Sequence, residues 1–452
     1  MNAERCILIG SFVALLHCTQ AALACAQDSS AARPSNPNGL NRLYVEKVVV
    51  HGNTKTEEDI ILREMRLKEG DLVDPGLLDY DINRVYSLGI FSRVDASIEP
   101  SRDSLAVVNI NVVESLAIIP FPIIGIKDRD WDKFYFGAGL LHNNFRGRNE
   151  KVMVAGALGY DPWATIRYQN PRIDRENNLF FIGQVGFSRI QNKSIYSGGP
   201  NLDYDEQHIN ARITVGKRLG LFSYPWVMLN YNDIRVSEPG TGRTLSARGR
   251  DEFLTAGVGF TYDSRDLQEY ASRGTYAALS FLKYGLGESA VDYHRIGWDL
   301  RKFVPVPGLF NLTLAARTFG GVSSGGTTPL YDHLYFGYAE RIRGHFTEII
   351  EGESVLGLSA EVRIPLLKPD YFTVDYVPVP GLRVWRFGVG FALFADAGKV
   401  WFRPQTINLT NLTKGYGAGL HFLLPYGIVL RSEYAWDERR VGEYVFDLKA
   451  AF

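Results

Sequence analysis

Leu356-Gly357-Leu358-Ser359-Ala360-Glu361-Val362-Arg363-Ile364-Pro365-Leu366 reads as a strand with two unlike faces. Side chains alternate along a strand. Leu356, Leu358, Ala360, Val362, Ile364 and Leu366 therefore share one face, and Gly357, Ser359, Glu361 and Arg363 share the other. The same texture returns downstream. Phe387, Val389, Phe391, Leu393, Ala395 and Ala397 alternate with Gly388, Gly390, Ala392, Asp396 and Gly398. Ile428, Leu430, Ser432, Tyr434 and Trp436 alternate with Val429, Arg431 and Glu433.

Working outward, sixteen such segments follow residue 115, with turn clusters between them. They lie near 117–126, 133–142, 150–159, 162–170, 178–190, 206–217, 223–236, 250–263, 274–286, 289–302, 309–320, 353–366, 384–400, 413–424, 427–438 and 441–452. An even count suits a single-chain bacterial barrel, whose strands alternate up and down. Closure of sixteen strands leaves a lumen too wide for side chains to fill. The polar face then lines water, the apolar face meets lipid, and closure pairs every backbone group, as hydrocarbon demands. The expected fold is membrane all-β: a 16-stranded antiparallel transmembrane β-barrel over 116–452, behind one small α+β domain. Stacked sandwiches or a propeller would explain neither the N-terminal export signal nor the C-terminal aromatic.

Composition agrees. Across 452 residues there are 24 Tyr, 26 Phe and 45 Gly, with 46% hydrophobic residues, yet the mean hydropathy is slightly negative. That excludes a multi-span helical protein, which needs repeated apolar runs of about 20 residues. A net charge of −1 points to neither nucleic acid nor an acidic substrate.

Residues 1–26 read as a signal peptide. Arg5 is its lone cation, partly offset by Glu4, and the apolar run Cys6 to Leu16 is too short to span a bilayer. Ala22-Leu23-Ala24 and Ala24-Cys25-Ala26 are both small-x-small sites, with cleavage expected after Ala26. Lipidation at Cys25 is the alternative, and Ala22 is a poor residue three places ahead of it. Cys6, Cys18 and Cys25 all lie in this segment, so the mature chain would carry no thiol, which suits an oxidising periplasm. Residues 27–42 form a polar linker.

The first domain covers 43–115. Val45 to Val50 is a β-branched run ended by His51-Gly52-Asn53. Thr56 is expected to open a helix, with Asp59 completing a near capping box and Ile61 and Met65 buried. Asp74-Pro75 opens a second helix, on which Leu78, Ile82, Val85 and Tyr86 form one stripe, and Gly89 stops it. Strands at Phe91 to Glu99 and Ala106 to Glu114 complete the order β-α-α-β-β. With Val48-Val49-Val50-His51-Gly52-Asn53, Leu88-Gly89-Ile90-Phe91 and Val107 to Val113, this domain resembles a polypeptide-transport-associated (POTRA) domain. The resemblance implies a periplasmic domain that receives unfolded clients, often by strand addition at a sheet edge.

The last strand places Tyr444, Phe446, Leu448, Ala450 and Phe452 on its apolar face and Asp447 and Lys449 inward. Tyr444, Phe446, Leu448 and Phe452 look like the C-terminal sorting signal of outer-membrane proteins.

Further motifs are Asn143-Asn144-Phe145-Arg146-Gly147-Arg148-Asn149, Tyr168-Gln169-Asn170-Pro171-Arg172 and Tyr262-Asp263-Ser264-Arg265-Asp266, the last ahead of Arg273-Gly274. The long segment Gly321 to Gly352 holds Arg341-Ile342-Arg343-Gly344-His345, and a loop of that length is commonly functional. Together these residues resemble the BamA/TamA superfamily of outer-membrane insertases and secretion pores (the bacterial surface antigen family), over nearly the whole mature chain. In that family the sixth external loop folds into the lumen and ends in a Val-Arg-Gly-Tyr or Val-Arg-Gly-Phe motif. Here the tip is Ile342-Arg343-Gly344-His345, with His345 departing from the family aromatic. The resemblance maps the tip arginine onto Arg343 and its acidic lumen partners onto Glu361 and Asp396. The strand motifs around them include Arg363 and Gly398. Strand parity independently puts Glu361 and Asp396 on the lumen face, and a guanidinium can fork a carboxylate bidentately.

Enzymatic motifs are absent: there is no Gly-x-Ser-x-Gly elbow on a strand–helix turn, no His-Glu-x-x-His and no Walker loop. No cofactor or metal is expected, since His142, His294 and His345 lack ligand spacing. The resemblance implies assembly of other barrels or translocation of proteins across the outer membrane. Its expected partners are the lipid bilayer, unfolded clients and envelope accessory proteins. A single POTRA domain makes a short accessory relative the expectation. The alternative is a passive, porin-like channel, and a barrel-borne lipase or protease is the remote one. Pro120 and Pro122 in the first strand each remove a ladder donor, which suits a weak seam.

Overall fold

The computed structural model describes residues 43–127, 131–191, 194, 196, 205–237, 243–287, 290–403, 405 and 409–448. The signal peptide, the linker, the Cys25 alternative, Ala450 and Phe452 lie outside the described residues.

The first domain runs β1 (Tyr44–His51), α1 (Glu58–Leu62), α2 (Pro75–Tyr86), β2 (Phe91–Pro100) and β3 (Leu105–Glu114). Its sheet has the order β1-β3-β2, with β1 parallel and β2 antiparallel to β3. Asp74 caps α2 by accepting from the Gly76 amide at 2.9 Å, ahead of Pro75 in the first turn. Leu78, Val85 and Tyr86 join Val108, Ile110 and Ile61 in the core. Thr56 does not cap α1. The helix starts two residues later, and the Thr56 hydroxyl instead donates to Glu114 Oε1 at 2.6 Å, tying the β1–α1 turn to the end of β3. A capping box is a local pattern, and here a carboxylate 58 residues away outbids it.

The barrel strands are β4 (Ile118–Ile126), β5 (Phe134–Phe145), β6 (Glu150–Gly159), β7 (Trp163–Asp174), β8 (Leu179–Gln191), β9 (Asp205–Lys217), β10 (Ser223–Val236) and β11 (Arg250–Asp263). They continue with β12 (Gly274–Leu286), β13 (Tyr293–Val306), β14 (Leu312–Gly325), β17 (Ser354–Thr373), β18 (Val384–Trp401), β19 (Thr413–Leu424), β20 (Ile428–Asp437) and β21 (Gly442–Leu448). All sixteen pair in chain order as one antiparallel meander, β14 lying directly beside β17. The short strands β15 (Leu334–Phe336) and β16 (Ile350–Gly352) form a separate hairpin within the β14–β17 loop.

Several boundaries differ from expectation. β5 runs three residues, β7 and β13 four and β14 five past their expected ends, and β17 runs to Thr373 rather than 366. The long loop is therefore 326–353 and carries structure of its own. Ladder hydrogen bonds continue beyond the point where clean alternation stops, because pairing needs only backbone.

The burial pattern is inside out. Among residues facing away from the lumen, Ile124 is 70% exposed, Leu158 64% and Val258 52%. Glu361, Arg363, His421 and Glu433 are each 2% exposed or less. A water-facing outer wall of this kind would be unstable, so the wall faces hydrocarbon.

Wall curvature is fixed at the floor. Helix α2, roughly 18 Å long, touches widely separated parts of the sheet. Lys151 of β6 donates to the Leu88 carbonyl just past α2, Tyr80 donates to the Ser264 carbonyl between β11 and β12, and Arg386 of β18 donates to Asn83. Leu267, also in the β11–β12 turn, inserts into the core of the first domain. Elements from both ends of the sheet meet on one helix only if the sheet curls into a barrel around it. The first domain thus sits against the mouth at which β4 begins.

Candidate functional site: the loop tip in the lumen

Counting from β4, the β14–β17 connection is the sixth on the side opposite the first domain. It is anchored along its length. Arg295 donates to the Asp332 carbonyl at 2.8 Å, Tyr331 to Asp251 at 2.8 Å, Arg317 to Glu340 at 3.1 Å and Arg403 to Glu353 at 2.7 Å. Glu351 accepts from Tyr335 at 3.0 Å and faces His333 Nδ1 at 2.6 Å. These anchors fold the loop inward and present its tip to the lumen wall.

At the tip, Ile342 is buried with Phe319, Leu334, Phe336 and Val355. Gly398 makes that contact possible. A Cβ there would stand 2.6 Å from Phe336 and 2.8 Å from Ile342. Gly344 adopts φ +96°, a conformation that favours glycine, and a Cβ on it would meet the Trp436 carbonyl at 2.6 Å. That turn aims Arg343 into the wall. Its Nε and Nη2 fork Asp396, both at 2.7 Å, Nη1 donates to Glu361 at 2.7 Å, and Nη2 also donates to Ser359 at 3.1 Å. Its guanidinium carbon lies 3.8 Å from the centre of the Phe394 ring.

The structure therefore brings together Ile342, Arg343, Glu361, Asp396 and Gly398 from the sequence reading. It adds groups that reading left out. Glu433 of β20 is a third acidic partner, accepting from Arg343 Nη1 at 3.1 Å. Gly415 of β19 is a second obligatory glycine, because a Cβ there would fall 1.6 Å from the Arg343 carbonyl. Parity had placed Glu433 on the polar face, but not at this height. Phe394 interrupts the small and polar lumen face of β18, and that interruption was the available signal.

His345 does not pack as an aromatic would. Its Nδ1 faces Glu348 at 2.9 Å, and its Nε2 faces Glu438 at 2.8 Å and the Lys414 carbonyl at 3.0 Å. Burial opposes its charge, yet hydrogen bonds to Glu348 and Glu438 outweigh burial and raise its pKa above the ordinary imidazole value.

Arg363 turns the other way. Glu361 shares its oxygens between Arg343 on Oε1 and Arg363 on Oε2, the latter at 2.8 Å. Arg363 then donates to the Ala271 carbonyl at 3.3 Å and lies against the Tyr270 ring at 4.6 Å. The tip is thus linked through the wall to the β11–β12 turn that enters the first domain. Tyr444 and Phe446 lie on the lipid face, 58% and 60% exposed, and Asp447 turns inward to Arg431 at 3.0 Å. Side chains of Leu448 and Lys449 are outside the described residues.

Residues 144–449, more than half of the chain, match the Omp85 superfamily domain. The chain belongs to the Omp85 superfamily. Residues 43–115 match the POTRA family, described as a surface antigen variable number repeat. This Omp85 chain is 24% identical over 425 residues to the outer membrane protein assembly factor BamA of Nitratidesulfovibrio vulgaris, covering 89% of this chain and 50% of that protein. It is 22% identical over 406 residues to BamA of Neisseria meningitidis serogroup B, covering 84% and 50%. The chain therefore spans about half the length of these curated relatives. Among solved structures, BamA from Haemophilus ducreyi lacking POTRA domains 1–3 aligns with a TM-score of 0.54 at 15% identity, covering 90% of this chain and 83% of that one. CdiB from Acinetobacter baumannii aligns at 0.50, also at 15% identity, covering 90% and 73%. The barrel resides in the bacterial outer membrane, with the POTRA domain on the periplasmic side.

Proposed function

We propose that this chain assembles or translocates polypeptides at the outer membrane, through a loop-gated barrel whose POTRA domain receives the client. The observation that carries this reading is the clasp at the loop tip. Arg343 is 7% exposed and held by carboxylates from three strands, β17, β18 and β20. A passive pore gains nothing from plugging its own lumen with a fully desolvated ion cluster. A gate does, because such a cluster is stable only when complete. In this reading Arg343 is a lock on the plug and performs no bond chemistry.

The seam supports the same reading. Among the described residues no ladder joins β4 to β21. The Asn143 amide donates to the Ala117 carbonyl, and β4 continues in that register with Ile119, Phe121 and Ile123 opposite Leu141, Gly139 and Gly137. Odd positions of β4 therefore bond to β5, and even positions turn their backbone toward the seam. Pro120 and Pro122 are both even, so two of the seam-facing positions carry no donor. An edge so depleted favours exchange of partners over permanent closure. The partners in this reading are unfolded outer-membrane or secreted clients and envelope accessory proteins.

The test is reconstitution of the full chain in lipid vesicles with an unfolded outer-membrane barrel as client. Faster client folding than in empty vesicles is expected. Steady ion conductance with no acceleration of client folding would favour a passive channel instead.

A further inference from the structure

The hairpin of β17 and β18 runs past the wall that carries it. The last β14–β17 pair is Thr313 with Arg363, and the last β18–β19 pair is Gly388 with Leu423, yet β17 and β18 go on pairing to Thr373 and Val384. Residues 364–373 and 384–387 thus stand below their outer neighbours as a two-stranded ribbon. Its two faces meet different surroundings. Tyr371 and Arg386, opposite each other, face the POTRA domain. Tyr371 packs against the core of that domain, edge-on to Tyr86 at 6.3 Å, and the Arg93 guanidinium lies 5.6 Å from its ring. Arg386 donates to Asn83 at 3.1 Å. The next pair, Phe372 and Trp385, points the other way. Phe372 is 46% exposed and meets Trp385 edge-on at 6.0 Å. The Trp385 indole N–H already donates to the Leu382 carbonyl at 2.7 Å, so this pair offers ring surface only. Leu366 and Leu367 are 59% and 51% exposed, and Tyr376 at the tip is 87% exposed.

Parity joins this outer face to the lipid-facing wall, since Trp385 follows Phe387, Val389, Phe391 and Leu393 down one face of β18. Two further aromatics flank it. The β13–β14 turn, which carries Phe310, lies beside β17, and the β19–β20 turn, which carries Tyr426, lies beside β18. Phe310 and Tyr426 have φ +71° and +63°, a left-handed backbone that bulky residues rarely adopt, and they are 61% and 44% exposed. A ring turned into water gains nothing from that strain, whereas a ring turned into a membrane interface does. From Gly388 to Trp385 the strand descends roughly 8 Å at the rise and tilt usual for membrane strands, about the depth of one headgroup layer. Such a layer also accommodates the exposed charges Lys368 and Asp370.

We propose that this hairpin is a bracket between the POTRA domain and the membrane. Its outer aromatic face, with Phe310 and Tyr426, seats in the phospholipid headgroup layer of the periplasmic leaflet, and its inner face holds the POTRA domain at a fixed tilt below the lumen. The seat does not depend on the loop clasp or on client assembly.

The experiment places a fluorescent label on single cysteines in the full chain, with Cys6, Cys18 and Cys25 changed to serine, in phosphatidylethanolamine–phosphatidylglycerol vesicles. Quenching by a headgroup nitroxide lipid is compared with quenching by a mid-chain nitroxide lipid. Labels on Phe372→Cys and Tyr376→Cys are expected to be quenched several-fold more by the headgroup nitroxide. A label on Leu393→Cys, in the wall, should show the reverse order, and one on Glu99→Cys, at the far end of β2, should be quenched by neither. If Phe372→Cys and Tyr376→Cys behave like Glu99→Cys, the proposal is overturned and the face is left to a protein partner. The hold on the POTRA domain is read by hydrogen exchange. Phe372→Ser is expected to speed exchange at Asn83 and Tyr86 several-fold in vesicles but not in amphipol, where no leaflet is present. An equal effect in both media would make Phe372 a packing residue only and overturn the bracket.

Discussion

Replacing Arg343 by alanine leaves Glu361, Asp396 and Glu433 facing one another in the lumen wall without the cation that joins them. The guanidinium makes five side-chain hydrogen bonds, four of them to carboxylates. Removing one partner of a buried ion cluster typically costs about 3–5 kcal/mol. The tip equilibrium between docked and released states then shifts by roughly two to nearly four powers of ten. The rest of the loop stays tethered through Asp332, Tyr331 and Glu353, so the tip detaches while the outer roof remains. Planar-bilayer conductance separates these states. The unmodified chain is expected to give small, flickering events, and Arg343→Ala larger and longer openings. Arg343→Lys should behave almost like alanine, because an ammonium is a point charge and does not fork a carboxylate. Arg343→Ala combined with Asp396→Asn should recover part of the barrel stability, since one uncompensated charge is removed. Large, steady conductance in the unmodified chain, or unchanged events in Arg343→Ala, would refute the reasoning.

Gly398→Leu should release the tip without altering any charge, because the new side chain occupies the space of Phe336 and Ile342. Openings like those of Arg343→Ala are expected, together with increased protease cleavage near residue 342. His345 provides a pH dependence. Its folded pKa is raised, so its contribution is complete below about pH 6.5, the ordinary imidazole value, and is lost as pH rises through the higher folded value. Tip protection in hydrogen exchange should fall from pH 6 to pH 9, and His345→Phe should flatten that dependence. At the floor, Glu64 accepts from Arg218 at 2.5 and 2.8 Å and from Arg84 at 3.0 Å. Burial pushes its carboxyl up, and the Arg218 and Arg84 guanidiniums outweigh burial and hold it below the usual glutamate range. Glu64→Gln should weaken POTRA docking by about 3–5 kcal/mol, seen as faster exchange at Arg84 and Tyr80 with barrel strands unchanged. Equal exchange in both proteins would show that the other contacts, those of Tyr80, Lys151 and Arg386 and the insertion of Leu267, hold the domain without Glu64.

Much of this architecture was written in local periodicity. Alternation of Leu358 and Ala360 with Ser359 and Glu361 marks a strand and assigns its faces, whatever it pairs with. The stripe of Leu78, Val85 and Tyr86 behind Asp74-Pro75 did the same for α2. Periodicity also put Arg343 in a long loop and Glu361 and Asp396 on the lumen face. It could not rank the lumen charges by height. Height depends on register between strands, and register is a property of pairs: Glu433 lies opposite Gly419, itself opposite Ala392. Thr56 shows the same limit at shorter range, since a carboxylate from β3 decided its role.

By itself, then, the sequence determined the number of strands, their two faces, the β-α-α-β-β order and the residue types at the loop tip. Each of these follows from the geometry of a single chain segment. Tertiary structure alone decided that Glu433, 90 residues from Arg343, completes the clasp, and that the POTRA domain floors the barrel. Those facts depend on how far the sheet curls and how strands are staggered. Both are set by the closure of the whole wall rather than by any stretch within it.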